Sequence, residues 1–213
     1  YRDPNSPYRS WYDFDPKYKG GYRSWWGFET LPEVNEETPS YVEFITGEGG
    51  VIDTWLRRGA AGFRLDVADE LPDDFIEKIR AAVKRVSPEK FLLGEVWEDA
   101  TTKYGFDQRR TYLLGKGLDS VMNYPFKNAV LDFVKGKPAE QAMGEILSIC
   151  EHYPAPAMDT ALNFLSTHDT ERALTVIADE PANGRGREWQ SGRCVTGEAY
   201  EEGMLRLRMA YAI

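Results

Sequence analysis

Cysteine is nearly absent from this sequence: Cys150 and Cys194 are the only two among 213 residues. They show neither the close spacing of a metal site nor a disulfide framework. Reduced thiols are the expectation, with one bridge between the two left open. Long hydrophobic runs are also lacking. No stretch of about 18 apolar residues occurs, so no membrane-spanning helix is expected. The opening YRDPNSPYRSWYDFDP has none of the layout of a signal or transit peptide and reads as the interior of a longer protein. Cytoplasmic and secreted locations both stay open. Positive charge is in deficit, 26 Lys and Arg against 35 Asp and Glu, for a net charge of −9. That balance disfavours a nucleic-acid backbone as partner and suits a neutral ligand. No repeat of roughly 20–50 residues is visible. No glycine-rich phosphate loop follows any expected strand, which weakens a nucleotide-binding reading.

Aromatic residues are plentiful, 13% of the chain, with six Trp and twelve Tyr. Such rings usually fill a core, and flat exposed ones are also what neutral sugars stack on. Residues 1–38 are rich in Pro, Gly, Tyr and Trp without a sustained period, which predicts a long ordered loop region of functional character. From Pro39 an apolar stripe (Tyr41, Phe44, Ile45, Val51, Ile52, Trp55, Leu56) predicts helix, interrupted by GEGG at 47–50 and stopped by Gly59 and Gly62. FRLDV then reads as a strand. Residues 72–86 predict an amphipathic helix with Phe75, Ile76, Ile79, Ala82, Val83 and Val86 on one face. FLLGEVW (strand), LDSVMNY (short strand), PFKNAVLDFVKG (helix), 138–153 (helix), ALNFLSTHD (strand) and 199–213 (helix) follow. Alternation of strand and helix predicts an α/β fold with a parallel sheet, either an open doubly wound sheet or a (β/α)8 barrel.

Three acids fall at the C-terminal ends of these strands: Asp66, Glu95 and Asp169. In a barrel all strand C-termini open on one face, where the chemistry is done. Clustered carboxylates repel, so one is expected to stay ionised and another to hold a proton. Arg64, two residues before Asp66, projects to the same side of its strand and would keep Asp66 anionic. A nucleophile and an acid are what glycoside hydrolysis requires. Any single acid of this kind is more often a helix cap or an ion-pair partner. Three, with Arg64 and His168 beside them, favour catalysis.

GFRLDVADE, LLGEVWED and FLSTHDTER resemble three successive motifs of the alpha-amylase family, glycoside hydrolase family 13. YRSWWGFETLPEVN at 22–35 resembles the additional motif before the third helix. MNYPF at 122–126 is similar to the neopullulanase, cyclomaltodextrinase and amylopullulanase group. The resemblance implies a partial (β/α)8 TIM barrel, about strands 4–7, over 39–213. Residues 1–38 would be the loop region between third strand and third helix. It implies a retaining α-glucan hydrolase cutting α-1,4 and possibly α-1,6 bonds of maltodextrins, cyclodextrins, pullulan or starch. Asp66 would be the nucleophile, Glu95 the acid and base, and Asp169 the stabiliser of the sugar ring. Arg64 would orient Asp66 and His168 would bond the same sugar. Nucleophile and acid carboxyls would then lie about 5–5.5 Å apart. Trp97 would stack on an acceptor sugar or pack in the core, with equal weight for each. Trp25, Trp26 and Phe28 would wall donor subsites, with core the better expectation for at least one. Asn35 and Tyr124 would line the cleft, an ordinary turn role for Asn35 being the plainer alternative.

The sequence departs from the resemblance in two places. Starch-liquefying members have Lys-His where this chain has Asp69-Glu70, and the neopullulanase group has Asn-Glu, so the second group is nearer. The family's first motif, an Asp and an Asn-His after the third strand, is not present. An internal piece of a longer enzyme is therefore expected. It would be weakly active or inactive alone, with open barrel edges that favour self-association. No cofactor is implied. A calcium site is compatible with the family in a full-length protein, but no acidic loop here resembles one. The competing readings are a glucan transferase or isomerase of the same family and a non-catalytic carbohydrate-binding fragment.

Overall fold

The computed structural model describes residues 2–178 and 184–213. The chain divides into two compact units. One comprises Tyr1–Leu93 with Tyr104–Leu118, the other Gly94–Lys103 with Asp119–Ile213.

In the first unit, residues 2–38 form the ordered loop region that their composition predicts. Single antiparallel bridges pin it: Tyr12 with Val34, Phe14 with Tyr22, Ser24 with Pro32. Arg23 lies between two passing segments. Its N–H donates to the Asp13 carbonyl (2.9 Å) and its carbonyl accepts from Glu33 (3.1 Å). Helices α1 (Pro39–Thr46) and α2 (Val51–Arg57) flank the GEGG break, with a proline in the first turn of α1. The buried Asp53 carboxylate accepts the Gly49 N–H at 3.1 Å and the Arg57 Nε at 2.9 Å, so the break is held by one side chain. Ile52 and Leu56 are buried, whereas Phe44 and Trp55 of the expected stripe are about half exposed.

Strand β1 (Gly62–Leu65) leads through a tight turn to α3 (Asp73–Val86) and then strand β2 (Phe91–Gly94). A side chain at position 62 would collide with the Phe91 backbone, so only glycine permits this close start to β1. Phe75, Ile76, Ile79, Ala82 and Val83 of α3 are buried as the periodicity predicts, and Val86 is half-buried. Burying a large aliphatic side chain is worth about 1.5–3 kcal/mol, so this face anchors the unit. A two-residue hairpin, β3 (Tyr104–Gly105) with β4 (Gln108–Arg109), was not legible in the sequence. It turns through Phe106 and Asp107, both with positive φ.

The second unit starts at Gly94, whose carbonyl accepts the Met122 N–H at 2.9 Å beside β5 (Ser120–Val121). Met122 pairs in parallel with Leu162. That bridge is all that the described backbone keeps of the strand expected over ALNFLSTHD. Past Leu162 the chain leaves the ladder and closes a hydroxyl-bonded turn, with the Thr167 N–H donating to Thr170 Oγ1 (2.9 Å). Helices α4 (Tyr124–Val134), α5 (Ala139–His152) and α9 (Gly197–Ala212) match the expected segments within two residues at each end. Asn123 caps α4 through its side chain. The short helices α6 (Ala155–Asp159), α7 (Ala173–Ala178) and α8 (Arg187–Ser191) were not anticipated. Val130, Leu131 and Val134 of α4 pack with Ala173 and Ile177 of α7 and Ala210 of α9 to form the core. Cys150 and Cys194 are both unbridged and exposed.

Candidate active site

In the first unit β1 ends at Leu65, so Asp66 is the first residue beyond the strand. Alternation along the strand sends Arg64 and Asp66 to the same side. The Arg64 Nη1 donates to Asp66 Oδ1. Asp66 is largely exposed, with 72% of its side chain accessible, while Arg64 is mostly covered. The next residue, Val67, has φ 45° and ψ 49°. A β-branched residue in this left-handed region is a genuine outlier, and backbone strain of this sort concentrates at functional sites.

The loop after Asp66 is tied down twice. Arg110, its side chain 1% exposed, pairs with Asp73 at 2.7 Å. The same guanidinium donates to the Leu71 carbonyl at 2.7 Å and to the Asp69 carbonyl. Glu70 accepts the indole N–H of Trp25 at 2.7 Å and that of Trp26 at 2.9 Å, one on each carboxylate oxygen. Trp25 is half-buried, and Trp26 and Phe28 are exposed, so none of the three belongs to the core. Asn35 holds a turn by accepting the Glu37 N–H at 2.9 Å and also donates to Asp13 at 3.2 Å. It lines an acidic cleft of about 440 Å³ with Arg23, Glu36 and Asp73. Burial raises the Glu36 pKa, and the carboxylates of Glu33 and Asp13 add to this against the opposing Glu36 backbone N–H and Arg23.

In the second unit β2 has just ended when Glu95 follows, only 5% exposed. Its Oε1 accepts the Trp97 indole N–H at 2.8 Å. Trp97 is half exposed and stacks on Tyr124 with centroids 4.7 Å apart and planes 15° from parallel. Tyr124 is buried at 1% exposure, so its ring supports Trp97 from below and shows no open face. The Tyr124 hydroxyl lies 3.3 Å from Thr167 Oγ1, and that oxygen accepts the Asp169 N–H at 3.2 Å. His168 Nε2 lies 3.1 Å from Asp169 Oδ2. One chain of contacts thus joins Glu95, Trp97, Tyr124, His168 and Asp169.

Trp97, His168 and Asp169 line a cleft of about 940 Å³ with Lys127, Arg185 and Gln190. Lys127, unforeseen from the sequence, stands 5.6 Å from the Tyr124 ring centroid. Burial lowers its pKa, and the Asp132 carboxylate opposes that shift. Its place in the first turn after MNYPF was the available signal. Among the described residues, no group of three or more His, Cys, Asp or Glu side chains is arranged to hold a metal ion. No helix among them is long and apolar enough to cross a membrane.

The first unit thus carries a strand-end carboxylate beside an arginine, and the second a buried glutamate bonded to an indole. Residues 9–191 match the alpha amylase catalytic domain family, and the chain belongs to that family. Its fold is part of a (β/α)8 barrel. The chain is 36% identical over 209 residues to an amylopullulanase of Thermoanaerobacter thermohydrosulfuricus, covering 84% of this chain and 13% of that protein. It is 37% identical over 155 residues to a cyclomaltodextrinase of a Bacillus species, covering 70% of this chain and 25% of that protein. Among solved structures it is similar to the cyclic alpha-maltosyl-(1→6)-maltose hydrolase of Arthrobacter globiformis in complex with maltose. There the TM-score is 0.72 and identity 27%, with 83% of this chain and 39% of that one covered. The chain therefore spans between 13% and 25% of these two curated relatives.

Proposed function

We propose that these residues carry the catalytic carboxylates of a retaining α-glucan hydrolase. The observation that carries the reading is that Asp66 and Glu95 each stand one residue beyond a β-strand, within motifs of the family. In the first step the Asp66 carboxylate attacks the anomeric carbon while protonated Glu95 gives its proton to the departing glycosidic oxygen. The products of that step are a glycosyl ester on Asp66 and a free sugar. In the second, Glu95 removes a proton from water, which attacks the anomeric carbon and releases Asp66. Asp169 and His168, joined to each other, hold the hydroxyls of the reacting sugar. Trp97 places the leaving sugar and, through its N–H, orients Glu95. Arg64, donating to Asp66, orients that carboxylate. Linear, cyclic and branched α-glucans are the substrate class. The isolated 213-residue chain is weakly active or inactive and either self-associates through barrel edges or is poorly stable, a reading supported by its spanning a minor part of its curated relatives.

The test is the full-length gene product on maltotriose, cyclodextrin and pullulan. Glu95→Gln should lower kcat by about 10²–10⁴-fold while leaving maltotriose affinity nearly unchanged. Proton NMR should show the α-anomer as first product. A variant that keeps most of its turnover, or a β-anomer first, refutes the assignment. Glucose-transfer products that dominate over free sugars would favour the transferase reading.

A further inference from the structure

We propose that the cavity lined by α7 and α8 is an anion pocket that takes a phosphate monoester carried by an α-glucan. The proposal rests on the α-glucan reading above and adds a charged subsite within the second unit. The cavity measures about 300 Å³. Arg172, Arg187 and Arg193 line it together with Thr175. Glu171 is the one acidic residue of its lining among the described residues, so three guanidinium groups share a single carboxylate. That local positive excess stands within a chain of net charge −9. Arg172 and Arg187 form no ion pair among the described residues. Trp189 is half-buried and braces the edge of the pocket. The guanidinium carbons of Arg185 and Arg193 lie 4.5 Å and 4.8 Å from its ring centroid.

Like charges gathered at one cavity repel, and a bound anion relieves that repulsion. A guanidinium is a planar fork whose N–H groups pair with the oxygens of a carboxylate or a phosphate. A carboxylate has two oxygens and fills one fork. A phosphate monoester brings three acceptor oxygens and nearly two negative charges, which matches three forks. An unmodified glucan offers neutral hydroxyls and leaves the charge uncompensated. The negative charge of the whole chain repels anions at large, so attraction of one belongs to this pocket alone. Position identifies the carrier. Thr170, Glu171, Arg187 and Gln190 line both this cavity and the cleft that contains Trp97, His168 and Asp169. A group seated among the arginines can therefore be attached to a saccharide lying in that cleft.

The test uses the gene product carrying Glu95→Gln, so that dextrins are not consumed, with calorimetric titration. Two ligands are compared: phosphorylated maltodextrin, and the same preparation after phosphatase treatment and removal of free phosphate. The phosphorylated form should bind about tenfold tighter, the factor given by 1.4 kcal/mol. Arg187→Gln and Arg193→Gln should each bring the ratio of the two affinities below about threefold. A readout that needs no further variant is salt. In about 1 M sodium chloride, where the Debye length falls to about 3 Å, the ratio should shrink. Inorganic phosphate titrated alone separates the sources: binding tighter than that of the phosphorylated dextrin would make the free ion the ligand and overturn the glucan carrier. Equal affinities for the two dextrins, a ratio that survives both substitutions, or a ratio indifferent to salt overturns the pocket. If the gene product hydrolyses neutral maltodextrin while the two forms bind alike, only the pocket fails. A gene product that binds neither form overturns the pocket and the function together.

Discussion

Replacing Arg110 with methionine would test what holds the loop behind Asp66. Methionine keeps an apolar stem and removes the guanidinium, whose carbon lies 4.6 Å from the Tyr112 ring centroid and 5.4 Å from that of Phe106. What is stranded decides the cost. Asp73, with 14% of its side chain accessible, loses its charged partner at 2.7 Å and keeps Thr111, whose N–H donates to it at 3.3 Å. The carbonyls of Asp69 and Leu71 lose their donor. A lost hydrogen bond to a charged group costs about 1.5–3 kcal/mol, and each unsatisfied buried carbonyl about 1 kcal/mol or more. Cation–π loss adds about 0.5–1 kcal/mol. Partial hydration of Asp73 returns some of this, leaving about 3–4 kcal/mol. For a chain of this size that lowers Tm by roughly 6–16 °C. Urea unfolding followed by tryptophan fluorescence, with thermal melts, measures both. Arg110→Lys should recover little, because an ammonium cannot reach a carboxylate and two carbonyls in the planar fork arrangement. A loss below about 1 kcal/mol would show that the loop holds its shape without the clamp.

Two further expectations concern pH. Burial raises the Asp99 pKa, but the Thr101 hydroxyl (2.6 Å), His152 (2.6 Å) and the Thr101 N–H (2.8 Å) outweigh it, and the net shift is downward. A depressed carboxylate stabilises the fold above its unfolded pKa of about 3.9 and loses that contribution as pH falls through the folded value. Asp99→Asn should therefore be less stable than the parent near neutrality, and the gap should close in acid denaturant titrations. A gap independent of pH would refute this. Tyr153 is pushed up to about 12, chiefly by burial, and its oxygen accepts the Ala100 N–H at 3.1 Å. A raised pKa stabilises the protein below about 10 and is lost as pH climbs towards 12. Tyr153→Phe should cost about 1–2 kcal/mol at neutral pH by stranding that N–H, and should remove the alkaline step from phenolate titration. An unchanged titration refutes it.

The sequence made the long helices legible because their apolar faces repeat over three or more turns, as Ile76, Ile79 and Val83 do in α3. It exposed β1 and β2 because each β-branched or aromatic run ends at a charged residue. What it could not show is pairing. ALNFLSTHD has the composition of a strand, yet among its residues only Leu162 forms a backbone bridge, since ladder formation depends on distant segments. The helices α6, α7 and α8 are five or six residues long, too short for a period to register. The candidate acids were visible through motif and position. The Glu70 clamp was not, because nothing local links Trp25 and Trp26 to a carboxylate more than forty residues away. The Tyr124 ring likewise looked like a cleft residue, whereas burial makes it the floor under Trp97.

Trp97 is covered on one side by Tyr124 and fastened at its nitrogen to Glu95, so it can neither flip nor be approached from below. Only the remaining face of Trp97 can take a ligand, and whatever presses there also presses on Glu95. Under the proposed function, arrival of the outgoing saccharide and alignment of its acid would therefore be one mechanical event, and departure of that saccharide would release the same group to face water.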